Sequence, residues 1–123
     1  MKQSAYDPEV LKVRVFAASG NYDLFYYGTS GALRLANFPV GCSADTFKNN
    51  LGSLYNIGSN SPTVTRIAIN AQGSETSIPA EIAGYEYTIS IHRYRPPTAL
   101  PYTRTTALVA GSVTASVSVT RVN

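Results

Sequence analysis

The chain has 123 residues, 44% of them apolar and 14% charged, and its ten basic and seven acidic side chains leave a net charge of +3. One core grows comfortably to that size, so a single domain over residues 1–123 is expected, its surface neutral and hydroxyl-rich beside the roughly 25% charge of an ordinary soluble domain. No block of like charge marks a nucleic-acid arm, no run approaches the ~20 apolar residues that cross a bilayer, and a lone cysteine excludes an intramolecular disulfide or a cysteine-rich metal cluster.

The opening MKQSAYDPEVLKV holds no apolar core of signal-peptide length, which leaves either a protein not exported by that route or a module taken from a longer one. The first periodic run is VLKVRVF. Leu11, Val13 and Val15 alternate there with Lys12, Arg14 and Phe16, the period of a strand with one buried face. A turn is expected at Ser19-Gly20-Asn21. In YDLFYYG, Tyr22, Leu24 and Tyr26 oppose Asp23, Phe25 and Tyr27. Aromatic residues on both faces imply a strand covered on both sides or one that stacks at a contact surface. Gly28 and Gly31, free to take positive φ, turn the chain into ALRLANF, and the two runs read as a hairpin.

CSADTFKNNLGSLYNIG breaks the strand rhythm. Phe47, Leu51, Leu54 and Tyr55 fall on one helical stripe, opposite Lys48, Asn49 and Asn50. Ser43 or Asp45 can cap the start and Gly58 can stop the helix, with Gly52 a weak point inside it. Strand signals resume at TVTRIAIN. After the turn AQGS comes YEYTISIHRYR, in which Tyr85, Tyr87, Ile89 and Ile91 share one face against Glu86, Thr88, Ser90 and His92. RPPTALP interrupts pairing, since proline supplies no ladder N–H. YTRTTALVA reads as one more extended run.

The last run, GSVTASVSVT, places Val113, Ala115, Val117 and Val119 on one face and Ser112, Thr114, Ser116, Ser118 and Thr120 on the other. Arg121 falls on the inward phase, so the strand is expected to end, bulge or leave its sheet at about Thr120. It is expected to complete its own sheet near an edge, with donation to a neighbouring chain as the rival. About seven antiparallel strands punctuated by Gly and Pro argue a mainly β domain, a sandwich or barrel-like fold with one short helix across an open end.

Chemistry-bearing residues are few. His92 is the only histidine, with no Asp, Glu or Cys at a ligand spacing, and it reads as structural or exposed. Cys42 precedes the helix start, where amides can lower a thiol pKa, but reads as a space-filler between strand and helix. The same helix start lacks the Gly-Lys-Ser pattern of a phosphate loop. The seven carboxylates are scattered, and no G-x-S-x-G occurs. No catalytic residue, metal site or cofactor is expected.

The most suggestive constellation is YEYTISIHRYRPP, where Arg93 and Arg95 continue the face of Ile89 and Ile91 while His92 and Tyr94 continue the other. Cations and an aromatic ring so placed suit a protein partner, an anionic glycan or a nucleic-acid strand. The bland reading is a sheet emerging into water on arginine stems. Tyr26, Tyr27, Arg93, Tyr94 and Arg95 are the expected contact residues.

YDLFYYGTSGALRLAN, SADTFKNNLGSLYNIGSNSPTVTRI and GYEYTISI together resemble the immunoglobulin-like β-sandwich modules repeated in large extracellular surface and adhesin-like proteins. In those modules a short helix crosses the end of the sandwich before two further strands. The resemblance covers roughly Tyr22 to Ile91. It implies a non-enzymatic structural or adhesive module at a cell or particle surface, assembling with protein partners or copies of itself through sheet edges and tyrosine-bearing faces, without membrane insertion. A carbohydrate- or nucleic-acid-binding module using the arginine–tyrosine patch is the alternative, although the charge balance argues against a dedicated DNA binder.

Overall fold

The computed structural model describes residues 9–27, 33–51, 62–91, 102–105, 107–111 and 113–122. Their strands are β1 (Glu9–Phe16), β2 (Ser19–Tyr27), β3 (Leu33–Pro39), β4 (Thr63–Ile69), β5 (Gly84–Ile91), β6 (Tyr102–Arg104), β7 (Leu108–Val109) and β8 (Ser116–Arg121), with helix α1 (Ala44–Leu51) between β3 and β4. All pairings are antiparallel, in a sheet of order β4-β5-β1-β8 and a second of order β3-β2-β6, with β7 also on β2.

The inward residues of both sheets join one buried cluster. Leu11, Val13 and Val15 of β1 and Tyr87 and Ile89 of β5 come from one side, and Tyr22 and Leu24 of β2 with Ala36 and Phe38 of β3 from the other. These are the apolar positions of the alternating runs, so the period-2 pattern translates directly into the two inner faces of a β-sandwich. The last described strand, β8, completes the first sheet beside β1.

Helix α1 closes one end of the sandwich. Ser43 caps it, accepting a bond from Thr46 N–H at 3.2 Å, and Asp45 lies in the first turn where a negative charge suits the helix dipole. Phe47 and Leu51 are fully buried, as the stripe predicts. The Phe47 ring stacks on Phe38 of one sheet at 4.4 Å and on Tyr87 of the other at 4.1 Å, and Tyr22 extends the row from Phe38 at 5.4 Å. Described helix ends at Leu51, immediately before Gly52; Leu54, Tyr55 and Gly58 lie outside the described residues.

Three expectations are corrected. Ser19-Gly20-Asn21 is the start of β2; the change of sheet occurs at Ala17-Ala18. Gly20 is needed for another reason. It has φ +103°, and a Cβ there would meet the Ala107 carbonyl oxygen at 2.1 Å, so glycine lets β7 approach β2. YTRTTALVA is also not one even strand. Phe25, Leu24 and Asp23 pair with Tyr102, Thr103 and Arg104, but Gly20 and Ser19 pair with Leu108 and Val109, so the register gains one residue between the two stretches, a bulged strand along one side of β2.

The third correction concerns the end of the chain. Strand β8 begins at Ser116, runs through Arg121 without a bulge, pairs Arg121 with Leu11, and is followed by a bond from Val122 N–H to the Val10 carbonyl at 2.8 Å. It completes its own sheet at an edge, against β1. Val113, Ala115, Val117 and Val119 are only partly buried, because beneath this edge the second sheet offers the three exposed residues of β6.

The connection from β4 to β5 lies on the outer face of the first sheet. The Asn70 side chain accepts bonds from Gln72 and Ser74 N–H, each at 3.0 Å, and Gly73 takes φ +84° in the turn expected at AQGS. A Cβ on Gly73 would lie 2.9 Å from the Arg14 guanidinium, so the loop rests on that side chain. Glu86, on the outward phase of β5, is thereby 6% exposed and accepts two bonds from Arg14, at 2.7 and 3.1 Å, with Lys12 at 3.6 Å.

Candidate functional site: the outward face of the second sheet

The expected contact patch lies largely outside the described residues. Tyr26 and Tyr27 have described backbone only, closing β2 opposite Arg34 and Leu33. Arg93, Tyr94 and Arg95 lie outside the described residues, as does His92; β5 is described to Ile91.

What the fold does assemble is a face. The registers of β2 with β3 and β6 set Leu35, Phe25 and Tyr102 abreast, and in the next row Asn37, Asp23 and Arg104. All six are on the outward phase, because the alternate residues Tyr22, Leu24, Ala36 and Phe38 are buried in the core. The rings of Phe25 and Tyr102 meet at 5.4 Å and are tilted by 30°, and Tyr102 remains 61% exposed. In the polar row Arg104 donates to an Asp23 oxygen at 2.7 Å and Asn37 donates to the other at 2.9 Å. The carboxylate is thus held between two donors, and the apolar row beside it ends in an exposed phenol. The outward face thus carries an aromatic row bordered by a satisfied ion pair, with Tyr102 its most exposed ring.

The sequence contained half of this. Phe25 and Asp23 stand out on the second face of β2, whereas Tyr102 and Arg104 sit in three exposed residues with no periodic signal, and only pairing across the sheet reveals their neighbours.

A second cluster lies at the start of α1. The Tyr87 hydroxyl donates to the Cys42 carbonyl at 2.6 Å and lies 3.6 Å from its sulfur, while Arg66 donates to the carbonyls of Gly41 at 2.6 Å and Cys42 at 3.3 Å. Arg66 also stands 5.0 Å over the Tyr85 ring. Burial pushes the Cys42 thiol up, offset only in part by its bond with Tyr87 and the nearby Arg66 charge, so the thiol stays protonated and is a poor nucleophile. Burial also raises both Tyr22 and Tyr87, the latter further through its bond with Cys42. The Tyr22 hydroxyl is buried with no hydrogen-bond partner among the described residues. The cluster is structural in character, tying strand β4 and the sandwich to the helix.

Among the described residues no three or more His, Cys, Asp or Glu side chains gather as metal ligands, and no helix is long and apolar enough to cross a membrane. Comparison of the chain with known protein families, curated proteins and solved structures found no match.

Proposed function

We propose that the chain is a non-enzymatic structural or adhesive module that works by protein–protein contact in an extracellular or particle-surface assembly. The observation that carries this reading is the outward row Leu35–Phe25–Tyr102, an apolar and aromatic strip on a sheet face whose other side already fills the core. Burying such a strip against a partner releases water from its apolar area, and tyrosine gives amphipathic contact at low entropic cost. Among the described residues, the raised Cys42 thiol, the neutral buried phenols and the bonded Asp23 support rigidity and contact more readily than proton transfer.

Amide chemical-shift mapping separates this reading from its rival. Labelled chain is titrated with further copies of itself, with neutral oligosaccharides, and with a heparin-type polyanion at several salt concentrations. A second copy seated on this face moves the amides of Phe25, Leu35 and Tyr102, a copy paired at a sheet edge moves the amides of that edge strand instead, and either outcome is protein contact; the polyanion moves neither set. Saturable shifts with an oligosaccharide alone, or polyanion binding that weakens steeply with salt, replace the reading with a carbohydrate- or nucleic-acid-binding module.

A further inference from the structure

A sheet edge presents backbone groups to whatever strand comes next, and a strand pairs well only if its own side chains tolerate the register. Most edges here are already occupied or broken. Along β4, Glu75 bridges to Ile69, Thr76 N–H bonds the Ala68 carbonyl at 3.0 Å, and Arg66 stands at the centre. On β3, the Asn37 carbonyl is taken by the Asn50 side chain of α1 at 3.0 Å, and the strand ends in Pro39. The β6–β7 edge carries its bulge.

Along Val117 and Val119 of β8 the described residues place no such protection, and among them β1 is the strand's one neighbour. The bond from Val122 N–H to the Val10 carbonyl fixes which residues face which way. In an antiparallel ladder the bonded pairs alternate, so Ser116, Ser118 and Thr120 turn their backbone groups toward β1, and Val117 and Val119 turn theirs to the open edge.

We infer that this edge is a self-association site: two copies of the chain pair their β8 strands antiparallel about a two-fold axis at Ser118, joining the two four-stranded sheets into one. This deepens the reading of a protein-contact module and rests on it. That register sets Val117 opposite the second copy's Val119, so that the outward-facing backbone groups of each close two-bond rings. Above them Ser118 faces Ser118 and Ser116 faces Thr120. No charge meets its like, and hydroxyls meet hydroxyls while valines meet valines. The half-buried row of Val117 and Val119 gains apolar cover that the short β6 does not provide. A C2 contact needs a self-complementary patch, and a neutral strand of alternating valine and serine supplies one.

The test is sedimentation of the full chain from about 1 µM to about 1 mM, with Ser118→Glu and Ser118→Lys variants beside it. Ser118 is exposed and lies opposite Arg14 on β1, and circular dichroism checks that each variant keeps the fold of the monomer. The unsubstituted chain doubles its mass with concentration. Each variant alone dimerises at least about tenfold more weakly, because like charges meet at the axis, and an equimolar mixture of the two recovers the dimer. A monomer across the whole range overturns the inference, including the case where another segment of the same chain lies along β8. That result also removes contact between copies from the protein-contact reading, whereas a dimer that ignores Ser118 removes this inference alone. A dimer indifferent to both Ser118 variants and abolished by Tyr102→Ser also overturns it, and places self-association on the outward face instead.

Discussion

Replacing Phe47 with alanine tests how the sandwich is closed. Its ring is fully buried between Phe38 of one sheet and Tyr87 of the other, at 4.4 and 4.1 Å, and it comes from the helix that crosses the end. Truncation removes the transfer free energy of the ring and leaves a cavity that neither sheet can fill without breaking its own ladder, so a cost of about 4 kcal/mol is expected, within the ~3–5 range for buried Phe→Ala. Two ring contacts, each worth about 0.5–1.5 kcal/mol beyond area, argue for the upper part of that range. A domain of this size has an unfolding entropy near 260 cal/mol/K, so the same loss lowers Tm by roughly 15 °C. Urea denaturation followed by circular dichroism measures it directly, with an unchanged m-value showing that the same surface is exposed on unfolding. Phe47→Leu should recover much of the loss, because leucine refills most of the volume but stacks on neither ring. A cost below about 1 kcal/mol for Phe47→Ala would refute the wedge, since no ring held between two packed sheets is removed so cheaply.

Other expectations follow from the buried polar groups. Tyr22→Phe is expected to be neutral or to stabilise by up to about 1 kcal/mol in urea titration, because its hydroxyl is buried without a hydrogen-bond partner, whereas Tyr87→Phe loses the bond to the Cys42 carbonyl and costs about 1 kcal/mol. Both phenols titrate above their ordinary value in the folded chain, so the unfolded chain ionises first. The contribution of these two groups to stability is therefore full below pH ~10 and is lost as pH rises above it, and each Tyr→Phe variant makes that alkaline loss shallower. Glu86→Gln leaves the Arg14 guanidinium facing a neutral amide under the loop that carries Gly73, and is expected to cost about 2–3 kcal/mol; Lys12→Ala, at 3.6 Å from the same carboxylate and well exposed, costs under about 1 kcal/mol, as paired denaturation curves would show. Cys42 should alkylate more slowly than a free thiol at neutral pH and reach its full rate only above the ordinary thiol range, followed by iodoacetamide labelling against pH. A labelling rate equal to that of free cysteine would contradict the burial assigned to it.

The inner faces were legible because each strand buries one side only. Leu11, Val13 and Val15, Tyr22 and Leu24, and Tyr87 and Ile89 alternate in the sequence and are core residues in the fold. The helix was legible through Phe47 and Leu51 and through Ser43 as its cap. What the sequence withheld depends on contacts between distant segments. Gly20 looks like a turn residue until the Ala107 carbonyl is seen against it, and Glu86 looks like an exposed outward carboxylate until the β4–β5 loop covers it beside Arg14. Tyr102 and Arg104 carry no period at all, so the outward row emerges only when β6 takes its place beside β2. Arg121 breaks the apolar alternation of its strand, yet pairing with Leu11 carries β8 through it.

The domain completes its own sheet with β8 and offers the other side of that strand to a second copy. Amide hydrogen exchange at two protein concentrations, about 20 µM and about 1 mM, reads both halves at once. Ser118 and Thr120, whose amides point to β1, are predicted to be protected at both concentrations, while Val117 and Val119 exchange rapidly in the dilute sample and become protected in the concentrated one. Protection of Val117 and Val119 that does not change with concentration would contradict the account.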